Sequence, residues 1–542
     1  MKNNVIIRVL LFVFIVMSGA SCDTENLRNL DNPKHMLTKE NADMSWMFTD
    51  IIRTYGRGYI GGRPVQRDGV FLKYYSTHSN LAWAGSINQW DAGINDDPWG
   101  VYSSSVVEVV TLEDYLLNLN EPKQAVNLAF TQIMKAAIFQ RLTDFYGDIP
   151  YTEAGRLAIS NFELNKPKYD PQSLIYDDLL KTVKAAVTVL ASPPADAEGL
   201  RWKTDFSYNG DMNKWKKFAN SLMLRMAMRI SDVEPGKAKE YAELAIANGV
   251  ITANADNYIM KTGTNTNPDE RNDYSRWFEG TGGGDPERYV KLGEYFVDWL
   301  KDKNDPRMKI IFGGRLNNTI TQVAAAQMGT YWRVASNWNW DLTQAKGVPH
   351  GISAIPTPNG DLPLYHHTYT SPNPFLFTFT RPIELVTASE MLLLISEAAS
   401  KGWNTGSYTA QSAYEAGVKA NMSQLTGYSG LLDHQTISAQ EMTDYLAANP
   451  LGTADVAKKR LAEEMWITMY LNPAEGWFNA RRMDLNLPPN SSVGPMPVRN
   501  AYPADERSNN IDNLNATLER LGWGTQIGRE QEMQKRVWWD VK

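Results

Sequence analysis

The chain has 542 residues, with 54 Lys+Arg against 61 Asp+Glu and a formal charge of −7, a balance that argues against a polyanionic partner such as nucleic acid. Hydrophobic residues make up 43% and charged residues 21%, the proportions of a globular protein able to bury a large core. A single cysteine excludes a disulfide framework, so stability has to come from packing.

The first 21 residues read as a secretion signal: basic Lys2 and Arg8, an apolar run from Val9 to Met17, and small residues Ser18, Gly19, Ala20 and Ser21 ahead of Cys22. The run is too short to span a bilayer. Cleavage before Cys22 would make its thiol the first side chain of the mature protein, free to carry a thioether-linked diacylglycerol. Together with an acyl chain on the new amine, that lipid anchors stably. Residues 22–36 are polar and unpatterned, with Asn32-Pro33 as a breaker, and read as a flexible tether.

Helical periodicity begins near Leu37, and residues 37–542 read as one mainly α-helical domain. The spacing predicts helices over 104–119, 126–145, 172–190, 213–230, 236–247, 288–301, 385–401, 408–424 and 454–470; nothing of comparable strength reads as a strand. The clearest is 213–230, where Trp215, Phe218, Ala219, Leu222 and Met226 make one apolar stripe behind Asn213 as N-cap. The 126–145 stretch is apolar over most of its circumference, as in a helix wedged between neighbours. Ala398 and Ala399, followed by Ala413, Ala416 and Ala420, put small residues at helix crossings, which suggests tetratricopeptide-like hairpins. Trp46, Trp215, Trp299 and Trp466 fall in helical patterns and are expected in the core.

Between these helices lie long irregular insertions, chiefly 56–102, 252–287, 313–380 and 485–510. Several are rich in Trp and Tyr, residues that disordered segments lack, so they are expected to be ordered and functional.

Local chemistry is mostly structural. In RLTDFYGDIPYTEA, from Arg141, a helix ends near Phe145-Tyr146, Gly147 tolerates positive φ, and Pro150 forbids continuation. Asp144 and Asp148 are expected to serve that turn, with donors from Arg141 and backbone amides, rather than to form a catalytic pair. Glu390 and Glu397 share a helical face and are expected to meet Arg225 or Arg482 between helices. No metal ligand is nominated: His366-His367 cannot converge on one ion without a third ligand. Asp91, Asn95, Asp96 and Asp97 make an oxygen-rich loop where Ca²⁺ is the weaker alternative, since its spacing matches no EF-hand. The glycines of GTGGGDPE lack the Gly-Lys-Ser/Thr of a phosphate loop, and no GxSxG or HExxH occurs. No cofactor is expected beyond the covalent lipid.

RLTDFYGDIPYTEA and KWKKFANSLMLRMAMRIS, from Lys214, together resemble the SusD/RagB family of surface nutrient-binding lipoproteins, in its YGDIPY/WKKFAN branch. Further family-like segments follow in order: KDKNDPRMK from Lys301, ELVTASEMLLLISEAA from Glu384, WFNARRM from Trp477, YPADERSNNIDN from Tyr502 and RVWWD from Arg536. The resemblance implies a helical body of tetratricopeptide-like pairs with a ligand surface built from loops. It further implies a lipid-anchored, cell-surface protein of the outer membrane that docks on a SusC-like TonB-dependent channel and hands it an oligomeric nutrient without catalysis.

The insertions then supply the candidate ligand residues. Trp83, Asn88, Trp90, Asp91 and Trp99 fall in the first, Trp277 in the second, and Tyr331, Trp332, Trp338 and Trp340 in the third. A sugar ring offers an apolar C–H face and a polar edge, so its matching surface is an aromatic plane flanked by amide, carboxylate or guanidinium groups. Such loops point to an oligosaccharide; an oligopeptide held through backbone hydrogen bonds is the alternative within the same role. A glycan-cleaving enzyme would need two carboxylates flanking a scissile bond, and none can be nominated. A helical-repeat scaffold for another protein is the remaining reading.

Overall fold

The computed structural model describes residues 44–57, 67–76, 96–160, 162–197, 205–263, 270–272, 290–316, 335–350, 368–488 and 495–541. The chain divides into two compact units, 1–44 and 45–542, and all described residues but Met44 lie in the second.

Helix α1 (Met44–Arg57) buries Phe48, Ile51, Ile52 and Tyr55. Trp46, expected in the core, is instead 67% exposed: it lies two residues from Phe48, roughly 200° round the helix from the buried stripe. The short helix α2 (Asp68–Phe71) follows a buried Arg67–Asp68 ion pair of 2.6 Å and leads into strand β1 (Tyr75–Ser76). After a 3-10 turn over Asp97–Ser103 come α3 (Ser105–Leu119) and α4 (Ala125–Tyr146). Helix α4 packs between α3 and the later α5, and its C-terminal half is buried all round, as its uniform apolarity requires.

The turn after α4 forms as its sequence demands. Gly147 takes φ +77°, and the chain leaves through β2 (Ile149–Pro150), which pairs antiparallel with β3 (Tyr169–Asp170). Asp148 accepts from the Gln172 amide at 2.8 Å and so caps α5 (Gln172–Ala191) from outside. Next come α6 (Met212–Arg229) and α7 (Pro235–Asn248). The N-cap of α6 is Asp211, whose carboxylate accepts from the Asn213 and Lys214 amides, so Asn213 is already inside the helix rather than capping it.

Strands β4 (Tyr258–Met260) and β5 (Lys291–Leu292) follow, and β5 pairs with β1. The expected helix over 288–301 therefore starts late, as α8 (Glu294–Asp302). Residues 292–293 are held extended by Leu292 N–H donating to Thr370 O (3.0 Å) and Gly293 N–H to Tyr74 O (2.9 Å). After α9 (Met308–Ile311), β6 (Arg315–Leu316) pairs with β7 (Trp338–Asn339). β8 (Ile383–Val386) pairs with β4 and takes the first residues of the stretch expected to be helical from 385; α10 (Ala388–Ser400) begins only after Thr387, whose hydroxyl caps Glu390 N–H.

The C-terminal half holds α11 (Ala410–Thr426), α12 (Ala439–Ala448), α13 (Ala454–Thr468), α14 (Pro473–Arg482), α15 (Ala504–Asn509), α16 (Ile511–Arg520) and α17 (Arg529–Glu532). Capping boxes at Thr409/Ser412 and Ser438/Glu441 start α11 and α12, and Pro473 opens α14. Helices α3 to α7 pack each on the next, α6 then packs on α10, α10 on α11 and α13, and α13 on α14. This is a mainly α-helical, tetratricopeptide-like stack, with Ala398 and Ala413 buried at the α10–α11 crossing and Ser389 Oγ donating across it to Gly417 O (2.8 Å). Among the described residues no helix is long and apolar enough to cross a membrane.

A buried ionic network ties the stack together. Arg225 of α6 pairs with Glu390 of α10 at 2.6 Å and reaches Glu475 of α14 at 3.7 Å. Arg229, one turn on, pairs with the same Glu475 and with Asp144 of α4 at 3.1 Å. Arg482 holds Glu397 through two 2.8 Å bonds. The pairings expected for Glu390 and Glu397 are thus present. Asp144 is structural as expected but through other donors, Tyr176 Oη (2.5 Å), Trp539 Nε1 (2.7 Å) and Gln140, beside its ion pair with Arg229. Arg141 instead donates to Tyr55 O (3.0 Å), with its guanidinium over the Tyr55 ring.

Candidate functional site

The β6–β7 ribbon belongs to the third insertion, of which residues 313–316, 335–350 and 368–380 are described. Gly314, at φ +73°, lets it lie close: a Cβ there would stand 2.3 Å from Asn339 O. The ribbon is fastened to the segment before β8 by Gly313 N–H donating to Ser371 O (2.8 Å) and Ser371 N–H to Gly314 O (2.9 Å). Trp338 is buried, 4% exposed, and packs 6.0 Å from Trp340, which is only half-buried. Trp340 in turn meets Phe375 at 6.1 Å and the exposed His434, from the loop between α11 and α12, at 5.3 Å. Its indole N–H donates to Ala335 O (3.2 Å), which sets the ring plane.

The turn after the ribbon and Arg315 form a polar cluster. Asp341 caps a short 3-10 turn, accepting from Thr343 N–H (3.0 Å), Thr343 Oγ1 (2.6 Å) and Gln344 Nε2 (2.8 Å). Hydrogen bonds from Thr343 hold its carboxyl below the ordinary aspartate value, so it is an anion at neutral pH. Arg315, opposite Asn339 in the ribbon, donates to the Gln344 carboxamide. The ribbon thus carries an aromatic plane that can take the apolar face of a sugar by stacking, and close by in the chain a guanidinium, a carboxamide and a carboxylate of the kind that bind hydroxyls.

Trp99 lies in a different cluster. It is half-buried in the 3-10 turn before α3, against Tyr102 (4.7 Å), Tyr146 (4.8 Å, edge-on), Tyr169 (6.2 Å) and Tyr502 (6.2 Å). Tyr102 and Tyr502 donate to the carbonyls of Pro150 and Asp148, both at 2.7 Å, so these rings clamp the turn after α4. Of the other sequence-nominated residues, Trp83, Asn88, Trp90, Asp91, Trp277, Tyr331 and Trp332 lie outside the described residues, as does Cys22. Phe375, His434, Arg315 and Gln344 were not nominated: the fold brings Phe375 and His434 to Trp340 from separate segments, and Arg315 meets Gln344 only through the ribbon pairing.

The carboxylates that could have suggested hydrolysis are elsewhere and engaged. Burial would raise Glu475, but Arg225 and Arg229 outweigh it and hold it below the ordinary value; burial keeps Asp144 above it, against Arg229. Both are almost fully buried inside the ionic network.

A stack of helical hairpins bearing a loop-built aromatic patch is the class of protein that these features define. The family model for SusD-like proteins, described as "Starch-binding associating with outer membrane", matches residues 70–503, about four-fifths of the chain, and the chain belongs to this SusD/RagB family. Among solved structures it is similar to a chitin-binding protein (29% identity, TM-score 0.74, 92% of this chain and 100% of that one). It is also similar to a chitin-binding SusD homologue from Flavobacterium johnsoniae (21%, TM-score 0.70, 92% and 99%) and to a SusD homologue from Bacteroides thetaiotaomicron (21%, TM-score 0.69, 93% and 100%). Comparison with curated proteins gave no match.

Proposed function

We propose that this protein is a non-catalytic, lipid-anchored protein of the outer-membrane surface that binds an oligosaccharide and passes it to a SusC-like TonB-dependent channel. The observation that carries the glycan reading is the half-buried Trp340, set between Phe375 and His434, with the Arg315–Gln344–Asp341 cluster on the same ribbon and the turn after it. Membership of a family described by starch binding and outer-membrane association supports it, as does the 29% identity to a chitin-binding protein. Chito-oligosaccharides and α-glucans are therefore the first ligands to try. Anchoring falls to a lipid on Cys22, which would keep the patch within reach of a channel mouth. The remaining nominated aromatics, Trp83, Trp90, Trp277, Tyr331 and Trp332, with Asn88, Asp91 and Trp99, are further candidates for ligand contact.

Affinity electrophoresis of the purified protein against glycan and peptide panels tests the ligand class. Retardation by at least one glycan and by no peptide is expected; binding of peptides alone would replace the glycan by an oligopeptide, and turnover of any bound glycan would overturn the non-catalytic reading.

A further inference from the structure

Apart from the Trp340 patch, the end of α14 and the segments after it enclose a cavity of about 270 Å³. Lys73, Arg481 and Arg536 line it, with Asp484 as the one carboxylate. Lys73 is 6% exposed, and among the described residues its ammonium has neither a hydrogen bond nor a carboxylate partner. That uncompensated burial pulls it down to about 8. The nearby His350, neutral and donating to Tyr75 O at 3.0 Å, adds no negative charge.

Arg481 is also buried and forms no ion pair among the described residues. It donates to the carbonyls of Val498 and Asp144, while its Nε has no partner. Arg536 is half-exposed and pairs with Asp540 at 2.6 Å. The backbone is strained at the same place: Lys73 and Asp484, neither of them glycine, both take left-handed φ values, +64° and +55°. A buried, unpaired cation is unfavourable in the empty protein. Together with local strain and a cavity, it marks a site that a ligand's charge completes.

We propose that this cavity is a second binding site, which takes the carboxylate of a small organic acid on Lys73, with Arg481 and Arg536 reinforcing the positive field. Its walls include Leu485 and Met496, which suit a carboxylate on a carbon body rather than a bare inorganic ion. A sugar acid and a peptide C-terminus both offer this group, and the test separates them.

The test is calorimetric titration of the purified full chain with D-glucuronate, N-acetyl-L-alanine and D-glucose, repeated on Lys73→Met, Arg536→Gln and Trp340→Ala. The expected result is binding of at least one acid at least tenfold tighter than of glucose, lost at least tenfold in Lys73→Met and less in Arg536→Gln. Trp340→Ala should leave acid binding unchanged, so the site stands or falls apart from the glycan patch. Binding of glucuronate alone assigns a sugar acid, and of N-acetyl-L-alanine alone a peptide terminus. Neither acid binding, or equal affinity in Lys73→Met, overturns the proposal. Lys73→Met removes an unpaired buried charge and should melt no lower than the parent; were it not to fold, unchanged affinity in Arg536→Gln would overturn the proposal and weakened affinity would uphold it.

Discussion

Arg225 and Glu390 meet through two 2.6 Å contacts although 165 residues separate them in sequence. Arg225 also donates to Leu385 O (2.8 Å), so one guanidinium joins α6 to α10 and to the strand that precedes it. Removing one partner leaves a buried charge uncompensated. Glu390→Leu is expected to cost about 3–5 kcal/mol in denaturant unfolding. The double variant Arg225→Met/Glu390→Leu should cost clearly less than the sum of the two single changes; strict additivity would mean that the two groups do not act as a pair.

The two tryptophans of the ribbon should separate in effect. Trp338 is buried, so Trp338→Ala should destabilise the protein by about 3–5 kcal/mol, as large aromatic truncations in cores do. Trp340 is half-buried, so Trp340→Ala should leave the unfolding midpoint nearly unchanged while weakening glycan binding about tenfold to a hundredfold, the loss of one stacked platform. Chemical denaturation and calorimetry on both variants would show whether the roles divide in this way.

Gly314→Ala tests the ribbon itself. The new methyl would meet Asn339 O at 2.3 Å in a backbone conformation disfavoured for alanine, so the ribbon must shift and Trp340 with it. Weakened glycan binding with unchanged helical circular dichroism is the expected outcome.

Hydrogen bonding and Arg53, paired with Asp50 of α1 at 2.6 Å, hold Asp50 below its ordinary value, whereas burial and the neighbouring Asp50 push the Glu108 carboxyl of α3 up to about 8. Between the unfolded carboxyl value and about 8 the folded state holds the extra proton, so this group makes stability fall as pH rises through that window. Glu108→Gln should therefore raise the melting temperature at pH 8 relative to the parent and change it little at pH 4.5, as read by thermal melts at the two pH values.

Much of the helical body was legible in the residues, for identifiable reasons. Apolarity round most of the helix announced α4 and a long apolar stripe announced α6, Gly147 and Pro150 announced the turn after α4, and Glu390 and Glu397 were legible as inter-helix partners of Arg225 and Arg482. The misses follow from length and distance. Ribbons of two to four residues, such as β5 and β8, carry no periodicity to detect, and they shortened two expected helices. Helices α12 and α14 are short and declare themselves only through the Ser438/Glu441 box and Pro473. Trp46 has a core residue's type but an outward position. In the candidate site Trp338 and Trp340 could be nominated as loop aromatics, whereas Phe375 and His434 join them only through tertiary contacts that leave no local signature.

The central claim is that Trp340 and its aromatic neighbours hold a glycan, and calorimetric titration of the purified protein and of Trp340→Ala with chito-oligosaccharides and α-glucans tests it most directly. The account predicts saturable binding of at least one glycan by the parent and its loss or strong weakening in a variant that remains folded. Equal glycan affinity in the two proteins, or no glycan binding beside clear peptide binding, would contradict it.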